Sequence, residues 1–335
     1  MNLTAKLGSL ALAALIVSSG VALGVNTAGA ADKFPNKPIQ LIVPFAAGST
    51  TDLAARSLSN AAKDFLDQPI VVVNKPGASG VVAASAVAKS KPDGYTMIMS
   101  RVSCNGAVPA LNKTIPYKID DFTFVGITEL NPFVFCVKAD SPYKTLQDLV
   151  EAIKANPGKL SFGTAGAMSM LDIVGMMLLD AAGLPQKAAV SVPFKGDGDA
   201  KTALLGGHVD FVPNNLSPMS DVIKSGMVRA LATTTAERLP DYPDVPTVAE
   251  AGYPALTGAL GWSGFFGPKG IPADRVAVLS GLLMKIKDSP TWLENTKRLG
   301  ALPYIMNPAD SEKFVMEQYH KFEALGKKLG AIIEK

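Results

Sequence analysis

Two short segments hold the residue types that could grip an anion. The first is Pro44-Phe-Ala-Ala-Gly-Ser-Thr-Thr-Asp52, which joins an apolar run to a helical pattern. Gly48 lets the backbone approach a ligand closely. Phe45 flanks it, and Ser49, Thr50 and Thr51 add hydroxyls. The free N–H groups of a helix start favour negative charge, and Asp52 is placed to cap that helix. The second segment, Gly163-Thr-Ala-Gly-Ala-Met-Ser169, has the same strand-to-helix position further along. Helix starts facing each other across a cleft would clamp a carboxylate. Taken singly, each segment also fits a plainer reading, in which small residues permit a tight turn.

Catalysis has little to build on. The two histidines, His208 and His320, stand near no nucleophile motif. No Cys/His/Asp group has metal-ligand spacing, and neither loop is a GxGxxG or Walker sequence. Met168, Met170, Met176 and Met177 read as core packing, a common use of methionine. The expectation is therefore no enzyme, no metal and no organic cofactor. A net charge of +3 without a basic run leaves no footprint for nucleic acid. Cys104 and Cys136 could pair in an oxidising compartment; two buried free thiols fit equally well.

The compartment is read from the first residues. Lys6 is followed by an apolar run over residues 10–17 and then by Ala28-Gly-Ala30. This is the form of a secretory signal cut after Ala30, and the apolar run is shorter than the about 20 residues a membrane span needs. No Cys stands near the cut, so a lipid-anchored form is not expected. The expected mature chain is a periplasmic protein.

Elements that could position the two loops follow a regular order. Strands are expected over residues 39–45, 68–74 and 95–100, with helices over 52–65 and 81–88, a β-α-β-α-β rhythm that implies a mostly parallel sheet. Residues 122–128 and 133–138 read as consecutive strands separated by Asn131-Pro132, which suggests passage between lobes. The rhythm resumes with helices over 145–156, 169–182, 199–205 and 220–225, and strands over 159–163, 190–195, 209–214 and 228–233. A strand over 261–267 and helices over 273–287 and 311–329 complete the chain. The simplest organisation is a signal peptide over 1–30, a first lobe from 31–130 and 251–335, and a second lobe, 131–250, inserted into it. Ligands of such sheets bind beyond the carboxyl ends of the strands, where both loops lie.

The motifs, taken in order, resemble the Bug family of solute receptors, also called TctC, which serve tripartite tricarboxylate transporters. They are Pro38-Ile-Gln-Leu-Ile-Val-Pro-Phe45 with Gly48 and Asp52, Gln68-Pro-Ile-Val-Val-Val-Asn-Lys-Pro-Gly77, Pro92-Asp-Gly-Tyr-Thr96, Pro157-Gly-Lys-Leu160, Val192-Pro-Phe-Lys-Gly196, Leu205-Gly-Gly-His-Val-Asp210 and Asp244-Val-Pro-Thr-Val-Ala-Glu-Ala-Gly252. The resemblance covers almost all of the mature chain. It implies an α/β fold of the type II periplasmic binding class, a Venus flytrap of two doubly wound lobes joined by a two-strand hinge. It implies a monomeric receptor that captures a small organic carboxylate and delivers it to the membrane subunits of a tripartite transporter; a receptor that docks a sensor kinase is the alternative. By position, Phe45, Gly48, Ser49, Thr50 and Asp52 would be the first-lobe ligand set. Thr164, Ala165, Ser169 and Asn214 would be the second.

The chain departs from the family pattern in places that bear on the ligand. Gly48-Ser49 stands where relatives commonly have Gly-Gly, and Asn214 where Asp is frequent. Met168 and Met170 bring apolar bulk where relatives have polar residues, which favours an apolar or aromatic ligand body. A strand that ends Gly-Thr in relatives ends Ser100-Arg101 here. The expectation for Arg101 is a bidentate grip on a second acidic group of the ligand, against the plainer reading of a solvated side chain at a loop edge.

Overall fold

A computed structural model describes residues 33–166 and 169–334. The secretory signal expected over residues 1–30 lies outside these, as does Met168. The first run consists of β1 (Ile39–Val43), α1 (Thr50–Ala62), β2 (Ile70–Asn74), α2 (Val81–Ala88) and β3 (Thr96–Arg101). A π turn at Ser103–Ala107 and α3 (Val108–Leu111) lead to the long β4 (Phe122–Lys138). The second run is α4 (Leu146–Ala155), β5 (Ser161–Thr164), α5 (Met170–Ala181), β6 (Val190–Pro193), α6 (Asp197–Leu205), β7 (Phe211–Asn215), α7 (Leu216–Lys224) and β8 (Val228–Thr233). The chain ends with β9 (Leu260–Pro268), α8 (Ala273–Ile286), α9 (Pro290–Arg298), β10 (Leu302–Pro303) and α10 (Pro308–Leu329).

The strands form one sheet in the order β2-β1-β3-β9-β4-β7-β5-β6, with β8 and β10 also paired to β4. β1 is parallel to β2 and β3, and β5 is parallel to β6 and β7. β9 runs antiparallel between β3 and β4. Four of the five β1 side chains are buried, as expected of a parallel strand covered by helices on both faces. One apolar layer, with Leu41, Leu58, Met97, Phe265, Leu283 and Trp292, covers one face of the β1–β3 half. A second layer covers the other face and runs on through the β5–β7 half, with Phe133, Phe162, Leu171 and Phe211.

Two strands were expected at residues 122–128 and 133–138; the structure has one continuous strand. Pro132 does not break β4 because it needs no donor there. On one edge β10 pairs with Glu129 and Leu130, while β7 and β8 begin only at Phe133 and Val134. The proline therefore falls in the gap between successive neighbours, where a missing N–H costs no ladder bond. β4 passes through both halves of the sheet, and the chain returns beside it, Asn131 pairing with Gly261 and Pro132 with Leu260. Two helices were expected after β9, whereas three are present. The extra helix, α9, begins with Pro290 after Ser289 and anchors itself by Trp292, which is fully buried. Cys104 and Cys136 are buried free thiols, not a disulfide. Burial pushes the Cys104 thiol up to about 11, so it is inert as a nucleophile at neutral pH.

Candidate functional site

The two loops singled out in the sequence end in the same kind of helix cap. Ser49 is the N-cap of α1, and its Oγ accepts from the Asp52 N–H at 3.3 Å. Ser169 is the N-cap of α5, and its Oγ accepts from the Asp172 N–H at 3.3 Å. Their backbone angles are nearly identical, φ −66 and ψ 159 against φ −67 and ψ 161. A left-handed glycine precedes each, Gly48 at φ +79 and Gly166 at φ +106. An added Cβ would meet nothing within 4 Å at either position, so conformation rather than space requires glycine there. A hydroxyl that accepts at an N-cap can still donate its own proton to a ligand oxygen. The cap of α1 is thus Ser49, not Asp52 as the sequence suggested.

Asp52 has a different task. Its carboxylate is buried and accepts from the Gly48 N–H (2.9 Å), from Arg56 Nε (2.9 Å) and from Asn74 Nδ2 (2.9 Å). Asn74 also donates to the Phe45 carbonyl at 3.0 Å. Burial pushes this carboxyl up, but the Arg56, Gly48 and Asn74 bonds with the Arg56 charge outweigh it and hold the pKa below the ordinary value. Asp52 therefore ties the loop to β2 and stays ionised; it is a support rather than an open ligand contact. Phe45 and Thr50 are half-buried on the same loop, and Gly48 is exposed.

Arg101 is neither a solvated residue at a loop edge nor an unpaired cation. It is the last residue of β3 and is buried, with Nη1 donating to Ser263 Oγ (3.1 Å) and lying 3.6 Å from Glu129 Oε1. Ser263 Oγ donates to the same Glu129 oxygen at 2.8 Å, and Asn131 Nδ2 donates to it at 3.2 Å. Nη1 of the guanidinium is thus engaged by protein groups before any ligand arrives.

Thr164 ends β5 and Asn214 is the last residue but one of β7; both are fully buried, and Ala165 is half-buried. Asn214 Nδ2 donates to the Asp197 carbonyl (2.9 Å), and Asn215 Nδ2 donates to Asp197 Oδ2 (2.6 Å). Asp197 opens α6. Burial raises its pKa; the Asn215 bond and the charge of Arg101 oppose this without cancelling it. The charge of Arg101, at the carboxyl end of β3, thus reaches Asp197, which is bound to the carboxyl end of β7. Met170 packs in the core with Met176 and Met177 against it, as the methionine cluster was read, and so does not add the bulk to a pocket that was also expected of it.

The structure thus gathers the first set and Arg101 at the carboxyl ends of β1 and β3, and Thr164, Ala165, Ser169 and Asn214 at those of β5 and β7. Sequence reasoning missed Asp197, Asn215, Glu129 and Asn105. Of these, Asp197 had a signal, because it directly follows Lys195-Gly196 at the head of a helix. Both histidines are exposed on the surface, away from these strand ends. A cavity of about 340 Å³ lies between α5, the turn at Pro254–Leu256 and α10, and none of the candidate residues lines it.

Comparison with known proteins points the same way. The description "Tripartite tricarboxylate transporter family receptor", TctC, matches residues 54–331. Protein BugT of Bordetella pertussis is 34% identical over 334 residues, 99% of each chain. The structure of MatC from Rhodopseudomonas palustris with bound malate superposes with a TM-score of 0.75 at 30% identity, covering 87% of this chain and 99% of that one. An R. palustris protein solved with adipate gives a TM-score of 0.78 at 28% identity, covering 89% and 98%.

Proposed function

This chain belongs to the TctC family of tripartite tricarboxylate transporter receptors, and from that premise we propose that it captures a small organic carboxylate between two lobes. The fold is the α/β type II periplasmic binding fold of that family. We take the lobes to be residues 31–130 with 251–335 and the inserted residues 131–250, hinged where β4 and the start of β9 lie side by side. The observation that carries the reading is the matched pair of serine-capped helix starts, one in each half, each set behind a left-handed glycine. A carboxylate held by both would receive N–H and O–H donors from each half, so binding would favour closure of the cleft.

On this reading Gly48, Ser49 and Thr50 hold the carboxylate from one side, and Ala165 and Ser169 from the other. Phe45 and Thr164 shape the walls, Asp52 stiffens its loop, and Arg101 and Asn214 line the far end. The malate and adipate bound by the two R. palustris relatives support a carboxylate ligand. The family supports delivery to membrane transporter subunits, export to the periplasm and a role in binding rather than turnover. Isothermal titration of the ligand-free mature chain against mono-, di- and tricarboxylates, aromatic acids included, tests this. Saturable binding with the ligand recovered intact is expected. Absence of binding across the panel, or chemical conversion of a bound acid, would overturn it.

A further inference from the structure

The far end of the cleft is rich in acceptors. Asn214 Nδ2 and Asn215 Nδ2 are both committed to Asp197, one to its carbonyl and one to its carboxylate. Asn131 Nδ2 is committed to the Glu129 carboxylate. Each partner is an acceptor, so each amide must turn its NH₂ toward it, which fixes the orientation of all three side chains. Their carbonyl oxygens are then left buried with no hydrogen-bond partner. Asn105, in the turn after β3, is oriented the other way: its Oδ1 accepts from Ser100 Oγ at 2.7 Å and its Nδ2 is buried without a partner. Buried acceptors without donors are costly and demand a partner.

The charges point the same way. Arg101 is the cation in this network, and Glu129 already engages it. Glu129 lies 3.6 Å from its Nη1, and Asp197 feels its charge from the opposite half. A second carboxylate on the ligand would have to compete with both. A hydroxyl or ammonium group would instead bring a donor to the Asp197 carboxylate, of which Asn215 holds one oxygen.

Resting on the carboxylate-capture reading, we propose that Asp197 is a specificity-determining residue. It selects carboxylates whose second polar group is a hydrogen-bond donor, a hydroxyl or an ammonium, over plain dicarboxylates. Asp197 sits at the opening turn of α6, bound to Asn214 and Asn215 at the end of β7 and opposite Arg101. From there its free carboxylate oxygen can accept from such a group. A site built to receive a donor discriminates strongly against an analogue that lacks one, because its own polar groups are then left unpaired.

The test uses two matched series in which one substituent changes: succinate, malate and aspartate; glutarate, 2-hydroxyglutarate and glutamate. Affinities are measured by calorimetry on the ligand-free mature chain, for the native protein and for Asp197→Asn. The native protein is expected to bind the best donor-bearing member at least about tenfold more tightly than its plain diacid. In Asp197→Asn that preference should fall to within about threefold, with plain-diacid affinity unchanged or improved because one acid is gone. Circular dichroism monitors folding, and Asp197→Ser replaces the Asn variant should that one misfold. A plain diacid that binds as tightly as its donor-bearing partner overturns this inference alone, as does a preference that survives both substitutions. No binding by any of the six, nor by citrate or benzoate, overturns the carboxylate-capture reading and this inference with it.

Discussion

Asp52 separates scaffold from ligand contact, and its replacement by alanine can be worked through in numbers. Three donors converge on its carboxylate. The Arg56 side chain is 52% exposed, so solvent screens that ion pair and it adds little to the sum. The Gly48 N–H and Asn74 amide bonds reach a buried charged acceptor. Such bonds contribute about 1.5–3 kcal/mol each, and the lower end applies because both donors can rehydrate. Asp52→Ala should therefore cost about 3 kcal/mol. Unfolding entropy near 2.1 cal/mol/K per residue, over about 300 residues, gives about 0.6 kcal/mol/K, so Tm should drop by about 5 °C. Asp52→Asn, which keeps the shape and one acceptor but loses the charge, should fall between.

The sign of the pH dependence follows from the lowered pKa. The stabilisation is fully present above the ordinary value of 3.8 and is lost as pH falls through the lower folded value. Urea midpoints of the native and Asn forms should therefore converge only in strong acid. Thermal and urea denaturation followed by circular dichroism measure all of this. If Asp52→Ala unfolded like the native protein while ligand affinity vanished, Asp52 would be a direct contact and the reasoning would be wrong.

Ser49→Ala and Ser169→Ala should each cost about 1 kcal/mol as lost N-caps, and the double variant should show the sum in urea denaturation, since the sites share no partner. Arg101→Ala should cost about 3–5 kcal/mol by stranding the buried Glu129, and adding Glu129→Gln should recover part of that loss. A neutral Arg101→Ala would show that the ion pair is not structural. Gly48→Ala should cost about 1–2 kcal/mol through its left-handed backbone alone, and a larger loss in urea denaturation would mean that the loop is packed more tightly than the open space around its Cα implies.

Local pattern made much of the fold legible. The β-α-β-α-β order, α2 and β8 could be read from apolar periodicity and from turn residues such as Pro92-Asp-Gly94. The misreadings arose where distant chain decides. Pro132 looked like a strand break because its neighbours in the sheet, β10 and β7, cannot be seen from sequence. The π turn at Ser103–Ala107 carries no punctuation distinctive enough to mark it. α9 was passed over although Ser289-Pro290 is a helix-start signal. The loops at Gly48 and Gly166 were legible because glycine followed within three residues by a serine at a helix start is a turn-and-cap signal. The burial of Arg101 was not legible, because Glu129 and Ser263, which its guanidinium meets, lie 28 and 162 positions away along the chain.

The two halves of the site use one device with different endings. In the first, a left-handed glycine, a capping serine and an aspartate at the third helical position lead to Asn74 on the adjacent parallel strand. In the second, Gly166, Ser169 and Asp172 repeat the pattern, and Asp172 Oδ1 accepts from Ser191 on β6 at 2.7 Å. A ligand group held by both copies meets a nearly symmetric cradle, and a carboxylate with its two equivalent oxygens suits such symmetry. The symmetry stops at the far end. There the first half contributes Arg101, already bound to Glu129, and the second contributes Asp197, already bound to Asn215. Substitutions in the cradle should therefore weaken all ligands alike, whereas substitutions at Asp197 should reorder them. A panel in which Ser49→Ala reorders ligands and Asp197→Asn weakens them uniformly would reverse this division of labour.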